Sequence, residues 1–275
     1  MNQLWAVCYY TFRESLARKT FIGFFIVSSI VLAVLLLALN VDAVDGAIAS
    51  LSLFGKEAEG IEVSVDKFVI GIESVLAGAL FTGGLFFSIF ATASLVPNML
   101  DKGNIDWLLA KPISRERLLF GRFLGALAIV TFNVFYLIGG AWLILSLKTG
   151  MWHWPFLLSG VMITATFAVL YGFMVFLGVT LQNSAVTIMG AYLITFFSPF
   201  LFKRNQIYAL LSEKIYQWLV DGLYYITPRT FELGKMVTET VMGETVASWV
   251  PLWHSLLIGL FFFGLAVFSF KRKNF

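Results

Sequence analysis

The chain has 275 residues, 59% of them hydrophobic and only 13% charged, with a net charge of +3 and a mean hydropathy of +0.87. That composition lies outside the range of soluble globular domains, and the cationic residues flank apolar runs instead of forming a nucleic-acid stripe. The lone Cys8 excludes an intramolecular disulfide, and no cluster of Cys, His and carboxylates has metal-ligand spacing.

Several apolar runs reach the roughly 20 residues that cross a bilayer as a helix, and none alternates as a barrel strand does. The expected fold is all-α: one polytopic membrane domain over residues 1–275, with six transmembrane helices and an N-terminal amphipathic elbow. In the elbow, residues 3–18, Trp5, Cys8, Tyr9, Phe12 and Leu16 fall near one face, with Gln3, Arg13, Glu14 and Arg18 elsewhere, which suits an interfacial helix. The first span, about 21–39, is too long for a signal-peptide core. Asp42 and Asp45 also precede the small-residue site Ala47-Ile48-Ala49, so the run reads as a retained anchor. Residues 40–67 are polar and acidic and form an outer loop. The second span, 69–96, carries Gly71, Gly78, Gly83 and Gly84 for close helix approach, and Thr82, Ser88, Thr92 and Ser94 for interhelical hydrogen bonds.

A charged island, Met99 to Arg122, separates the second and third spans. Lys102, Lys111, Arg115, Arg117 and Arg122 outnumber Asp101, Asp106 and Glu116, which places the loop 97–117 in the cytoplasm by the positive-inside rule. Gly103-Asn104 breaks the preceding helix, and Ile105, Leu108 and Leu109 then recur at helical spacing with Trp107 beside them. Lys111-Pro112 stops that run. Ser114 caps the next helix, with Arg117 where a capping box has Glu or Gln. A short amphipathic helix between spans suits docking on a soluble partner; it serves equally as a link resting on lipid headgroups.

The third span, 118–147, opens with the small-xxx-small pair Gly121 and Gly125. Lys148 to Pro155 is an outer loop with interfacial Trp152 and Trp154. Spans follow at 156–180 and 185–202, joined by a tight inner turn, the second ended by Ser198-Pro199. In the outer segment 203–249, Ile207, Leu210, Leu211, Ile215, Leu219 and Leu223 mark one amphipathic helix, and a second runs from Pro228 to Met242. The last span is 250–270, followed by Lys271-Arg272-Lys273. Six spans put both termini and all three basic clusters on one side; Lys203 and Arg204 run against that pattern.

The chain has no G-x-x-x-x-G-K-[ST], no H-E-x-x-H and no G-x-S-x-G, so it is expected to be a transport subunit without an ATPase motif and not an enzyme. Glu73 is the one carboxylate in an otherwise apolar run. It belongs to a translocation path or sits at headgroup level within reach of Lys67. Thr82, Asn133 and Tyr136 are further candidates for such a path, and equally for helix-packing contacts.

Together the basic elbow, the acidic outer loop and the island resemble the permease subunits of type-2 ABC exporters, near those of copper-enzyme maturation and gliding-motility systems. The resemblance rests on Asp101 and Gly103 in the first cytoplasmic loop, Trp107-Leu108-Leu109, Pro112-Ile113-Ser114-Arg115, and Gly121-Arg122 entering the third span. Ser198-Pro199-Phe200 and Thr227-Pro228-Arg229 extend it. Asp101-Lys102-Gly103-Asn104 departs from the family's Glu-x-x-x-Gly-Thr. The resemblance implies two permeases, as a homodimer or with a paralogue, in the plasma membrane of a prokaryote with both termini cytoplasmic. It implies two copies of a separate ATPase subunit that hold the ATP and Mg, this chain holding no cofactor or metal. The coupling surface would be Asp101, Gly103, Asp106, Trp107, Leu108, Leu109, Pro112 and Arg115. A membrane scaffold that recruits a cytoplasmic partner and an ion-coupled carrier using Glu73 are the other readings.

Overall fold

The structure, a computed structural model, describes residues 3–16, 19–44, 47–53, 56–57, 64–101, 103–105, 113–208 and 214–273. Among the described residues, five helical stretches are each long and apolar enough to cross a membrane. A sixth is the pair Gln3–Leu16 and Phe21–Leu37, bent by 68°. The protein is therefore an all-α polytopic membrane protein with a bent N-terminal helix pair.

The elements are α1 (Gln3–Leu16), α2 (Lys19–Ala38), α3 (Val65–Ala79), a π-helical turn at Leu80–Gly84, α4 (Leu85–Thr92), α5 (Leu95–Met99) and α6 (Arg115–Thr149). They continue with α7 (Trp154–Leu181), α8 (Ser184–Phe202), α9 (Arg204–Tyr208), α10 (Lys214–Ile226), α11 (Thr230–Val241) and α12 (Val250–Arg272). The second span, Val65–Met99, comprises α3, the π turn, α4 and α5. Between α2 and α3 lies a small antiparallel sheet, β1 (Leu39–Val44), β2 (Ala47–Leu53) and β3 (Lys56–Glu57). The sequence reading gives that stretch only a polar loop, although Ser50-Leu51-Ser52-Leu53 alternates as a strand does.

The core forms around α7, whose Phe156, Phe167, Leu170, Met174, Val175 and Val179 are buried. It crosses α12 where two backbones touch: a Cβ on Gly172 would lie 2.6 Å from the Gly259 carbonyl oxygen, and one on Gly259 would lie 2.8 Å from Val169 Cα. Small residues at a helix crossing are how packing is gained when lipid offers no hydrophobic drive between helices. The same device joins α1 to α6. Gly121 faces Val7 and Gly125 faces Thr11 and Cys8, four-residue steps on both helices, so α1 runs beside the start of α6 in the same direction.

The face that α1 turns to the protein is Val7, Cys8, Thr11 and Ser15, while Trp5, Tyr9 and Leu16 are exposed, as an interfacial helix with aromatic side chains toward lipid requires; close approach to Gly121 and Gly125 selects small side chains for the protein side. One expectation changes. In the second span Thr82, Ser88 and Thr92 bond to their own helix: Thr82 donates to Gly78 O (2.8 Å), Ser88 to Gly84 O (2.7 Å) and Thr92 to Ser88 O (2.7 Å). This back-bonding satisfies a hydroxyl without a neighbour. Nor do that span's glycines all mark close contacts, since Gly71, Gly78 and Gly83 have open space where a Cβ would go.

Pro199 lies inside α8, which continues to Phe202. Beyond it, α10 exposes Ile215, Trp218, Leu219 and Leu223, whereas α11 enters the bundle and buries Leu233, Met236, Val237 and Val241. Backbone N–H groups at the start of α11 would be orphaned there. Serines of two spans accept them, Ser255 from Arg229 N–H (3.1 Å) and Ser198 from Phe231 N–H (2.9 Å).

Candidate functional site

The N- and C-terminal helices meet the loop between the second and third spans at one end of the bundle. After Met99 the chain makes a tight turn in which Asn104 and Ile105 N–H donate to Asp101 O (3.1 and 3.2 Å). Gly103 adopts φ +92°, a left-handed conformation that favours glycine. Asn104 Nδ2 donates to Asn98 O (2.9 Å). Asp101 and Gly103 are exposed, and Ile105 is buried against the core. Asp106, Trp107, Leu108, Leu109 and Pro112 lie outside the described residues.

On the far side of that segment the chain is anchored again. Ser114 caps α6, its Oγ accepting from Arg117 N–H at 3.4 Å, a contact worth about 1 kcal/mol. Arg115 Nη1 donates to Lys273 O (2.6 Å), Phe270 O (3.3 Å) and Lys271 O (3.3 Å). A cation thus meets the last carbonyls of α12, where the helix dipole is negative. Glu116 pairs with Lys271, and Arg117 Nη1 donates to Gln3 Oε1 (2.9 Å). Buried Arg122 pairs with Glu14. Lys273 Nζ donates to Val179 O (2.8 Å) at the end of α7, and burial lowers its pKa. Arg115, read from sequence as part of a coupling surface, therefore also ties α12 to α6. The sequence held no signal for that partner, because helix carbonyls are not encoded by residue type.

Arg115→Ala is expected to cost about 1.5–3 kcal/mol, the range for hydrogen bonds to a charged group. Thermal unfolding in detergent would show the loss, together with faster trimming of the C-terminal segment by carboxypeptidase. Arg115→Lys should rescue little, since one ammonium cannot reproduce the guanidinium fork.

At the opposite end, Glu73 is buried and His153 Nδ1 lies 2.5 Å from its Oε2. Trp142 Nε1 donates to His153 O (3.1 Å) and fixes the loop that carries the imidazole. The partner is thus His153, 80 residues away, and not Lys67. On α10, Tyr224 has the Arg204 and Arg229 guanidinium groups 3.8 and 4.2 Å from its ring centroid, and its hydroxyl donates to Glu232 (2.7 Å). Burial and then that carboxylate push its phenol above the ordinary pKa.

The other candidate path residues do not converge. Thr82 lines a cleft of about 470 Å³ between the second span and α11, with Phe81, Lys235, Thr238 and Glu239; Glu73, Asn133 and Tyr136 are absent from its wall. Asn133 is buried in α6 and its Nδ2 reaches Ile129 O (3.4 Å). Tyr136 bonds Ser29 of α2 (3.0 Å) and stacks on Phe25. Among the described residues no group of three or more His, Cys, Asp or Glu could hold a metal ion.

These features define a multi-spanning helical membrane protein, an architecture consistent with a transporter. Neither family models nor curated proteins give a match to the chain.

Proposed function

We propose that this chain is the membrane-spanning permease subunit of an ATP-binding cassette transporter of the type-2 export class, working as a pair and powered by separate ATPase subunits that bind ATP and Mg. The observation that carries the reading is the double anchoring of the loop 97–117. Upstream, Val96 and Pro97 seat against Gly178 of α7. Downstream, Ser114 and Arg115 fix the start of α6 to the end of α12. A push on the segment 106–112 would therefore act on α6, α7 and α12 together instead of being lost in a slack loop. Force enters only if the ATPase contacts that segment differently in its two nucleotide states. In this reading the loop and both termini face the cytoplasm.

The test first isolates the ATPase subunit expected to co-purify with the full chain, then compares wild type with Leu109→Asp, each co-expressed with that subunit. Transport is expected to fall at least tenfold, with membrane insertion unchanged and ATP hydrolysis no longer stimulated by the permease. Wild-type transport by the variant, or full activity with no nucleotide-hydrolysing companion, would overturn the reading.

A further inference from the structure

A groove of about 420 Å³ opens on the side of the bundle between α2 and the second span. Its rim is exposed Val27, Ala79 and Phe87, and its floor is buried Phe24, Ser28, Leu80 and Gly84. The π turn Leu80–Gly84 forms one wall, and such turns are frequent at functional sites. The wall is almost wholly apolar. Ser28 is the exception: it is fully buried and its hydroxyl has no hydrogen-bond partner. Its neighbour Ser29 shows what the helix offers, donating to Phe25 O at 2.8 Å. A buried hydroxyl in a membrane needs a partner, and Ser28 stands midway along α2, where no water is at hand.

We propose that this groove is a binding site for a lipid-like ligand, a long hydrocarbon chain that carries an oxygen function at mid-membrane depth and pairs it with Ser28. Depth and chemistry select that occupant. The groove faces the hydrocarbon core, it has no charged group to hold a headgroup, and its one polar side chain, Ser28, lies at its floor. A slender chain reaches that floor; a helix, about 10 Å across, covers only the rim. The inference needs membrane embedding alone and is independent of ATPase coupling.

The test uses the full chain in phospholipid nanodiscs, labelled with a photoactivatable diazirine analogue of oleic acid. Label is expected within residues 23–31 and 76–87. Ricinoleic acid, with a hydroxyl part-way along its chain, should compete about fivefold better than oleic acid, as one neutral hydrogen bond supplies. Ser28→Ala should make the two competitors equal and keep the label. Gly83→Leu adds a side chain where no atom lies within 4 Å of the Cβ, and should abolish labelling with unchanged thermal unfolding; Val27→Trp at the rim is the alternative if that variant does not fold. Label elsewhere, label that survives a filled groove, or equal competition in the wild type would overturn the proposal. So would absent label with a Val27→Cys disulfide between copies, which would assign the groove to a second protomer.

Discussion

Gly172→Leu is expected to abolish recovery of folded, monodisperse protein, and even Gly172→Ala should lower its thermal stability measurably. The reason is the crossing of α7 and α12, where the added carbon would sit 2.6 Å from the Gly259 carbonyl oxygen. A clash with a flexible side chain relaxes by rotation; a clash with backbone moves a whole helix. Overpacking a core costs about 1–3 kcal/mol in ordinary cases. Here relief would separate α12 from the most buried helix of the bundle, so the cost belongs at or above the top of that range. Gly264→Leu on the same α12 is the control, since its Cβ would meet no atom within 4 Å. Size-exclusion profiles and thermal unfolding in detergent would distinguish the two. Equal behaviour would mean that α7 and α12 do not cross at Gly172 and Gly259.

The sequence shows the spanning helices well because bilayer thickness imposes a length and hydrocarbon imposes a composition, both local properties. The Gly121 and Gly125 pair was legible for the same reason, although not its partner, since a small-residue step says that something approaches closely and not what. Legibility ends where packing outranks hydrophobicity. In α1 the aromatic stripe of Trp5 and Tyr9 marks the interfacial side, but nothing marks Val7, Cys8 and Thr11 as the protein-facing one, because in lipid a helix contact favours small side chains. In α11 the helix itself was legible but not its depth; it is buried through Leu233, Val237 and Val241, N–H groups at its start accepted by Ser198 and Ser255. Those serines read as ordinary polar residues in apolar runs. The π turn at Leu80–Gly84 was illegible, because it reflects how one helix settles among its neighbours. Of the candidate site, Gly103 and the Ser114 cap were legible from local rules, whereas Arg115 on the end of α12 is a contact over more than 150 residues.

His153→Leu is expected to destabilise the protein by about 1–3 kcal/mol, the cost of leaving a buried polar group without its hydrogen-bond partner. Glu73 has 1% of its surface exposed, and the His153 side chain, 11% exposed, is its hydrogen-bond partner at 2.5 Å. Removing the imidazole strands a carboxyl group among apolar walls, with only protonation to relieve it. Removing both is different in kind. In Glu73→Leu/His153→Leu nothing polar is left stranded, and well-packed apolar residues in place of a buried pair are often neutral or better. The double variant should therefore be more stable than His153→Leu alone, a non-additivity of more than about 1 kcal/mol between contacting residues. Thermal unfolding of the four proteins of the cycle measures it. Additive losses would show that Glu73 and His153 do not interact. Glu73→Gln keeps an acceptor for the imidazole and should cost only about 1 kcal/mol, so it asks a separate question. A folded Glu73→Gln protein that has lost transport would give the carboxylate a role in moving cargo or protons; one that transports normally would leave it as the pin between the second span and the loop before α7.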